Sequence, residues 1–323
     1  MHINNLNLSK NILTWYDNNQ RTLPWRISKN SKKKQYYRLL SEFMLQQTQV
    51  KTVIPYFNNF VKKVPNLKAL SNSREKKILK LWEGLGYYRR AKNLHKTSRI
   101  LIKKYNGQVP NNFVKLKELP GIGDYTANVL LALIYNKPNI GIDGNVKRVL
   151  FRLFNRDIDD VVSLFKTKRN NDLAEALMEF GALICKPKEP KCNECNIKKV
   201  CQYYESKFNF TSKNKIKIKL KSYDIFCYLK KNTKQIALTK NNNLSFLKKF
   251  NLPQIKTVSK KNKSWKFLCN YKNSISNKKL NINLYYKFSS KIPSHYKWYS
   301  LNKNSEFIPT FTKKIFKQVQ GLY

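Results

Sequence analysis

The stretch LPGIGDYTANVLLALIYNKPNIGIDGNVKR, Leu119 to Arg148, opens with a Pro-Gly-x-Gly turn. It continues as an apolar segment and ends on an aspartate, Asp143, between Gly141 and Gly144. The turn follows one apolar segment (Phe113, Leu116) and precedes another (Ala127, Leu130, Leu131, Ile134), both spaced as helices. Gly121 and Gly123 let the backbone turn tightly and bring its N–H groups close to an anion. The turn also opens a helix N-terminus, whose partial positive charge favours phosphate.

This is the pattern of a helix-hairpin-helix DNA-binding element, and composition agrees with it. Lys and Arg number 65 against 18 Asp and Glu, a net charge of +47 in 323 residues. Such an excess favours a polyanionic partner, nucleic acid first, although part of it fits a general drift toward Lys, Asn and Ile. Hydrophobic residues make up 41 %, enough for a core in each of about two domains. The N-terminal stretch has no apolar leader, and the longest apolar run, Val129 to Tyr135, is too short for a bilayer, which needs about 20 residues. The expectation is a cytoplasmic protein with no membrane partner.

Residues 1–205 read mainly as helices. Tyr36, Leu39, Leu40, Phe43 and Met44 share one helical face, and two further helices break at Gly84 and Gly86. A basic stretch at 206–220 reads as a linker. Beyond it, YDIFCYLK, KQIALTK and LNINLYYKF alternate like strands, so 221–323 is expected to be a smaller α+β domain. Four of the six cysteines cluster: Cys185, Cys192, Cys195 and Cys201, spaced C-x6-C-x2-C-x5-C. Four thiolates so placed can enclose zinc or an iron–sulfur cluster.

An aspartate about twenty residues past the hairpin resembles the catalytic aspartate of helix-hairpin-helix glycosylases. The cysteine spacing resembles the [4Fe–4S] site of the endonuclease III superfamily. Four stretches resemble the MutY-type adenine glycosylases within it: LPWR (Leu23–Arg26), SEFMLQQTQV (Ser41–Val50), LWEGLGYYRRAKNL (Leu81–Leu94) and ALMEFGALIC (Ala176–Cys185). The resemblance covers residues 10–205 and implies a mainly α glycosylase fold with an iron–sulfur loop. It also implies a double-stranded DNA partner carrying adenine opposite 8-oxoguanine or guanine, and action as a monomer.

Breaking an N-glycosidic bond needs a proton on the leaving base and negative charge near the sugar, which two carboxyl groups with separated pKa values can supply. Glu42, on its helix beside Gln46 and Gln49, is the candidate acid, and Asp143 the stabilising carboxylate. Tyr125 stands where related lyases carry a Schiff-base lysine, so the resemblance implies a monofunctional enzyme. Asn145 can orient Asp143 or the transferred proton. By the same resemblance Trp25, Arg26 and Glu175 contact adenine, while Gln47 and Tyr87 wedge into the duplex as the base flips out.

Two features depart from the family: Asp124 replaces its usual Arg or Lys in the hairpin, and the segment before Ser41 is longer and more basic. The alternative is an endonuclease III-like glycosylase/lyase for oxidised pyrimidines, which Tyr125 and Glu42 disfavour. In the family, the C-terminal domain is Nudix-like and reads 8-oxoguanine. Here Ile275-Ser276-Asn277 stands for the reader loop, with Ser276 as its hydrogen-bonding residue, and FIPTFTKKIFK for the closing helix. With Asp224 and Glu306 its only acids, this domain is not expected to hold the Mg²⁺ that pyrophosphate hydrolysis needs.

Overall fold

The computed structural model describes residues 5–27, 31–157, 160–206, 219–242, 244, 247, 250–256, 264–275, 278–302 and 306–323. The chain divides into two compact units, Met1–Ile78 with Tyr87–Thr211, and Leu79–Gly86 with Ser212–Tyr323. Most of the expected 206–220 linker lies outside the described residues.

Eleven helices are described up to residue 206: α1 (Asn5–Asn19), α2 (Ser31–Leu45), α3 (Val50–Lys63), α4 (Leu67–Asn72), α5 (Glu75–Leu81), α6 (Arg89–Tyr105), α7 (Phe113–Lys117), α8 (Asp124–Tyr135), α9 (Gly144–Phe154), α10 (Asn170–Leu183) and α11 (Gln202–Ser206). Their ends follow local chemistry. Asn66 and Asn112 cap α4 and α7 by accepting the N–H three residues on, and α6, α8 and α9 each stop at an asparagine in the left-handed region. α8 is apolar nearly all round and its Val129, Leu130, Leu131, Ala132 and Leu133 are buried, which makes it a central helix. α1, α9 and α10 share one core, in which Trp15 meets Phe180 edge-on at 5.0 Å. A second apolar cluster, Val129, Ala132 and Leu133 with Ala174, packs α8 on α10, so the helices around the candidate acids are held by buried apolar contacts.

The second unit is built on a mixed sheet: β1 (Lys219–Lys230), β2 (Gln235–Leu238), β3 (Gln254–Lys256), β4 (Lys266–Ile275), β5 (Lys278–Phe288) and β6 (Lys297–Ser300), ordered β4-β5-β1-β2-β6 with β3 also on β1. β1 and β5 run parallel, the other pairs antiparallel. Ile225, Cys227 and Leu229 alternate with Asp224, Phe226 and Tyr228, so one face is aliphatic. Helix α12 (Thr310–Gln320) buries Phe311, Ile315, Phe316 and Val319. Its Lys314 reaches Asn273 on β4 at 2.8 Å. The helix starts three residues later than the sequence suggested, after Pro309, which cannot donate an N–H and suits the entry to a helix. Ser276 and Asn277 lie outside the described residues. No helix among the described residues is long and apolar enough to cross a membrane.

Candidate active site

The α2 stripe is core as expected: Tyr36, Leu39, Leu40, Phe43 and Met44 are all 2 % exposed or less. Glu42 lies off that stripe yet is itself only 6 % exposed. Burial pushes its carboxyl up to about 7; the Arg38 guanidinium opposes this, and the negative charges of Glu175 and Asp143 add to it. Near neutral pH the group therefore exists in both forms, as a proton donor must.

Asp143 sits at the mouth of α9 as its N-cap. One carboxylate oxygen accepts the N–H groups of Asn145 (2.8 Å) and Val146 (2.7 Å), and the other accepts Asn145 Nδ2 at 3.0 Å. The α9 dipole adds partial positive charge there. Asn145 is held in turn: its Oδ1 accepts Arg148 Nη2 at 3.0 Å, which leaves its amide nitrogen toward Asp143. Arg148 also donates to the carbonyls of Gly144, Gly181 and Cys185. Sequence reasoning missed Arg148, although its place three residues after Asn145 on one helix was the available signal. Gly181 lets α10 come this close, since a Cβ there would lie 2.7 Å from Asn145 Cβ and 3.0 Å from its carbonyl oxygen.

Tyr125, in the first turn of α8, donates its hydroxyl to Met178 Sδ at 3.4 Å. Burial, then the negative charges of Glu42 and Asp143, push its pKa upward, so the phenol is neutral. The structure thus gathers Glu42, Asp143, Asn145 and Tyr125 into one electrostatic neighbourhood.

Glu175 on α10 lies beside it. Arg38 Nη1 pairs with its Oε1, while Tyr16 donates to Oε2 at 2.5 Å and Arg26 Nε lies 3.0 Å from Oε2. Burial works to raise its pKa, but Arg38, Arg26 and the Tyr16 hydroxyl hold it below the usual carboxylate value. Arg26 also reaches Glu179 at 3.1 Å, which Arg21 grips in a bidentate pair. Tyr16 and Arg38 escaped the sequence reading because their link to Glu175 spans 159 and 137 residues of chain. Trp25 is 3 % exposed and packs edge-on against Phe57 at 5.3 Å.

Gln47 and Tyr87 both occupy the left-handed region, φ 56° and 47°, and both are exposed. Arg90 joins the two turns: it lies over the Tyr87 ring and donates to the carbonyls of Phe43, Met44 and Gln46 at the end of α2. The hairpin is fastened beside them, with Thr97 Oγ1 on Pro120 O at 3.0 Å and Gln46 Nε2 on Gly121 O at 3.3 Å. Gly121, at φ 85°, has no room for a Cβ, which would meet Asn93 at 2.8 Å and Phe43 at 2.9 Å. Gly123 faces open space at the N-terminus of α8. Asp124 pairs with exposed Lys117 at 2.5 Å.

The four clustered cysteines form no disulfide among the described residues and lie in the loops around α10 and α11. Cys185, Cys195 and Cys201 pack on the α1–α9–α10 core. Backbone N–H groups meet two of the sulfurs, Ile197 on Cys195 and Tyr203 and Tyr204 on Cys201, and Arg152 Nη1 lies 3.5 Å from Cys185 Sγ. Among the described residues no three Cys, His, Asp or Glu side chains converge closely enough to hold a metal ion.

The hairpin, the buried Glu42 and the capped Asp143 lie on a helical fold whose class the comparisons with known proteins identify. Residues 40–170 match the HhH-GPD superfamily of base excision DNA repair proteins. The chain is 38 % identical to the adenine DNA glycosylase of Buchnera aphidicola subsp. Baizongia pistaciae (strain Bp), over 96 % of this chain and 95 % of that one. It is 35 % identical to the adenine DNA glycosylase of Mus musculus, over 60 % of this chain and 41 % of the longer mouse protein. The solved structure of a thermostable thymine-DNA glycosylase superposes with a TM-score of 0.55 at 28 % identity, covering 61 % of this chain and 95 % of that one. The chain belongs to the HhH-GPD superfamily and, within it, to the adenine DNA glycosylase family.

Proposed function

We propose that this protein hydrolyses the N-glycosidic bond of adenine mispaired with 8-oxoguanine or guanine in duplex DNA, as a monomeric, monofunctional glycosylase. The observation that carries the reading is the unlike pair of carboxyl groups: Glu42, buried and protonatable near neutral pH, and Asp143, fixed by three N–H donors at a helix N-terminus. Glu42 gives its proton to a ring nitrogen of adenine, and the C1′–N9 bond breaks with its electron pair leaving on the base. The positive charge that grows on the sugar faces the Asp143 carboxylate. Water then adds to C1′ and returns a proton to Glu42. Tyr125 offers no amine for a Schiff base, so the strand stays whole. Gly121 and Gly123 present backbone N–H groups to phosphate, Gln47 and Tyr87 wedge the duplex, and Arg26 and Glu175 line the adenine pocket with Trp25 packed behind.

Cys185, Cys192, Cys195 and Cys201 hold a [4Fe–4S] cluster in this reading. The donor chemistry suits it, four soft thiolates at this spacing with N–H donors already meeting Cys195 and Cys201, and binding would draw the four sulfurs closer together. When bound, it supplies a four-point cross-link of the 185–201 loop. Visible charge-transfer absorption with iron and sulfide analysis distinguishes it from zinc. The C-terminal unit is read as Nudix-like, with Ser276 bonding the oxidised base. Ser276→Ala should then mildly lower the preference for 8-oxoguanine, since one hydrogen bond is worth about 0.5–1.5 kcal/mol.

The decisive experiment incubates the protein with duplexes carrying A opposite 8-oxoguanine, A opposite G, and A opposite T, and resolves the strands with and without alkali. Cleavage of the mispaired strands only after alkali is expected. Nicking without alkali, or equal action on A opposite T, refutes the reading.

A further inference from the structure

Among the described residues, four groups interact electrostatically with Glu42: Arg38 from its own helix, Tyr125 from α8, Asp143 at the start of α9, and Glu175 from α10. Arg38 is the one cation among these four. It stands one helical turn before Glu42, so both side chains leave the same face of α2. Its side chain is almost fully buried, where an uncompensated guanidinium is costly. Glu175 is the carboxylate it pairs with, and the buried Arg38 Nε meets no hydrogen-bond acceptor among the described residues. An apolar side chain would fill the same volume but leave the buried Glu175 carboxylate short of one partner. The guanidinium therefore acts as a charge, on Glu175 directly and on Glu42 one turn away.

Glu175 supplies the anchor. Tyr16 and Arg26 hold its other oxygen, so the carboxylate cannot swing away and Arg38 stays beside Glu42. Desolvation and two neighbouring carboxylates favour the protonated form of Glu42, and the guanidinium alone favours the ionised form. We propose that Arg38 is a positioning residue which, pinned by Glu175, balances the protonation of Glu42 and so sets the pH above which adenine excision fails. The proposal rests on Glu42 being the proton donor. An acid that binds its proton too tightly donates it poorly, and one fully ionised has none to give. Arg38 keeps the group between these limits at working pH.

The test uses the full chain with Arg38→Gln, Arg38→Met and Arg38→Lys. The Glu42 carboxyl is titrated by carbon NMR, its signal assigned through its loss in Glu42→Gln, and single-turnover excision from an A·G duplex is followed against pH. Charge removal should move the Glu42 midpoint up by about one unit in both the Gln and Met variants, while Lys keeps it within about 0.3. The alkaline fall in rate should move with it. A merely structural Arg38 would lower the rate at every pH and leave both midpoints in place. An unmoved NMR midpoint in the Gln and Met variants overturns the proposal. A moved NMR midpoint with an unmoved rate profile upholds the hold of Arg38 on Glu42 and overturns instead the reading of Glu42 as donor.

Discussion

Replacing Glu42 by glutamine should stop excision and, at the same time, make the protein more stable at alkaline pH. The change keeps the shape and removes a charge that the site otherwise has to bury. Glu42 is 6 % exposed, and burial lifts its carboxyl from the ordinary 4.5 to about 7. Because the folded value lies above the unfolded one, the folded chain binds more protons between the two. Stability is therefore lost as pH rises from about 4.5 through about 7. The span is about 2.5 units at about 1.4 kcal/mol each, or about 3 kcal/mol by pH 8. Glutamine has nothing to titrate and escapes that loss. Urea unfolding should find the two proteins within about 0.5 kcal/mol at pH 5 and the variant ahead by about 2–3 kcal/mol at pH 8.5. Excision should fall about 10²–10⁴-fold while affinity for an A-mismatched duplex holds. If the variant shows no gain at pH 8.5, Glu42 is not the buried, proton-retaining acid described here.

Gly181→Ala should push α9 and α10 apart, because the new Cβ meets Asn145 at 2.7 Å; a loss of about 1–3 kcal/mol in unfolding is expected, with excision falling further than DNA binding. Tyr125→Lys places an amine in the neighbourhood of Glu42 and Asp143, so borohydride should trap a covalent protein–DNA complex in the variant; strong trapping by the unaltered protein would contradict the monofunctional reading. Phosphate contacts by Lys and Arg should make log affinity fall linearly with log salt, by about 0.9 per phosphate neutralised, and a flat response would assign the charge excess to composition alone.

Local signals in the chain carried the α2 stripe, the Gly121 turn and the alternation of β1, β2 and β5 into the fold, because each depends on spacing along one element. Asp143 and Asn145 were legible for the same reason: an N-cap and its bond two residues on are local chemistry. Edge strand β4, with sequence KFLCNYKNSI, was not read as a strand, since its half-exposed positions carry Lys and Asn in place of β-branched residues. Glu42 looked like an outward helix position beside Gln46, yet α8 and α10 bring Tyr125 and Glu175 around it and leave it buried. Arg38 and Tyr16 were invisible because their partner lies in a helix far along the sequence.

The left-handed turns at Gln47 and Tyr87 bear on how a mismatch is found. A non-glycine residue held at positive φ costs about 1–2 kcal/mol, and here the fold meets that cost before any duplex arrives, with Arg90 bridging the two turns. In the proposed reading the protein moves along DNA with its probe already shaped. Each encounter is then a trial insertion whose outcome rests on the base pair: a sound pair resists, while a mispair, cheaper to unstack, yields. The first stage of discrimination therefore lies in the weakness of the damaged duplex, with the buried acid consulted only for bases that have already come out.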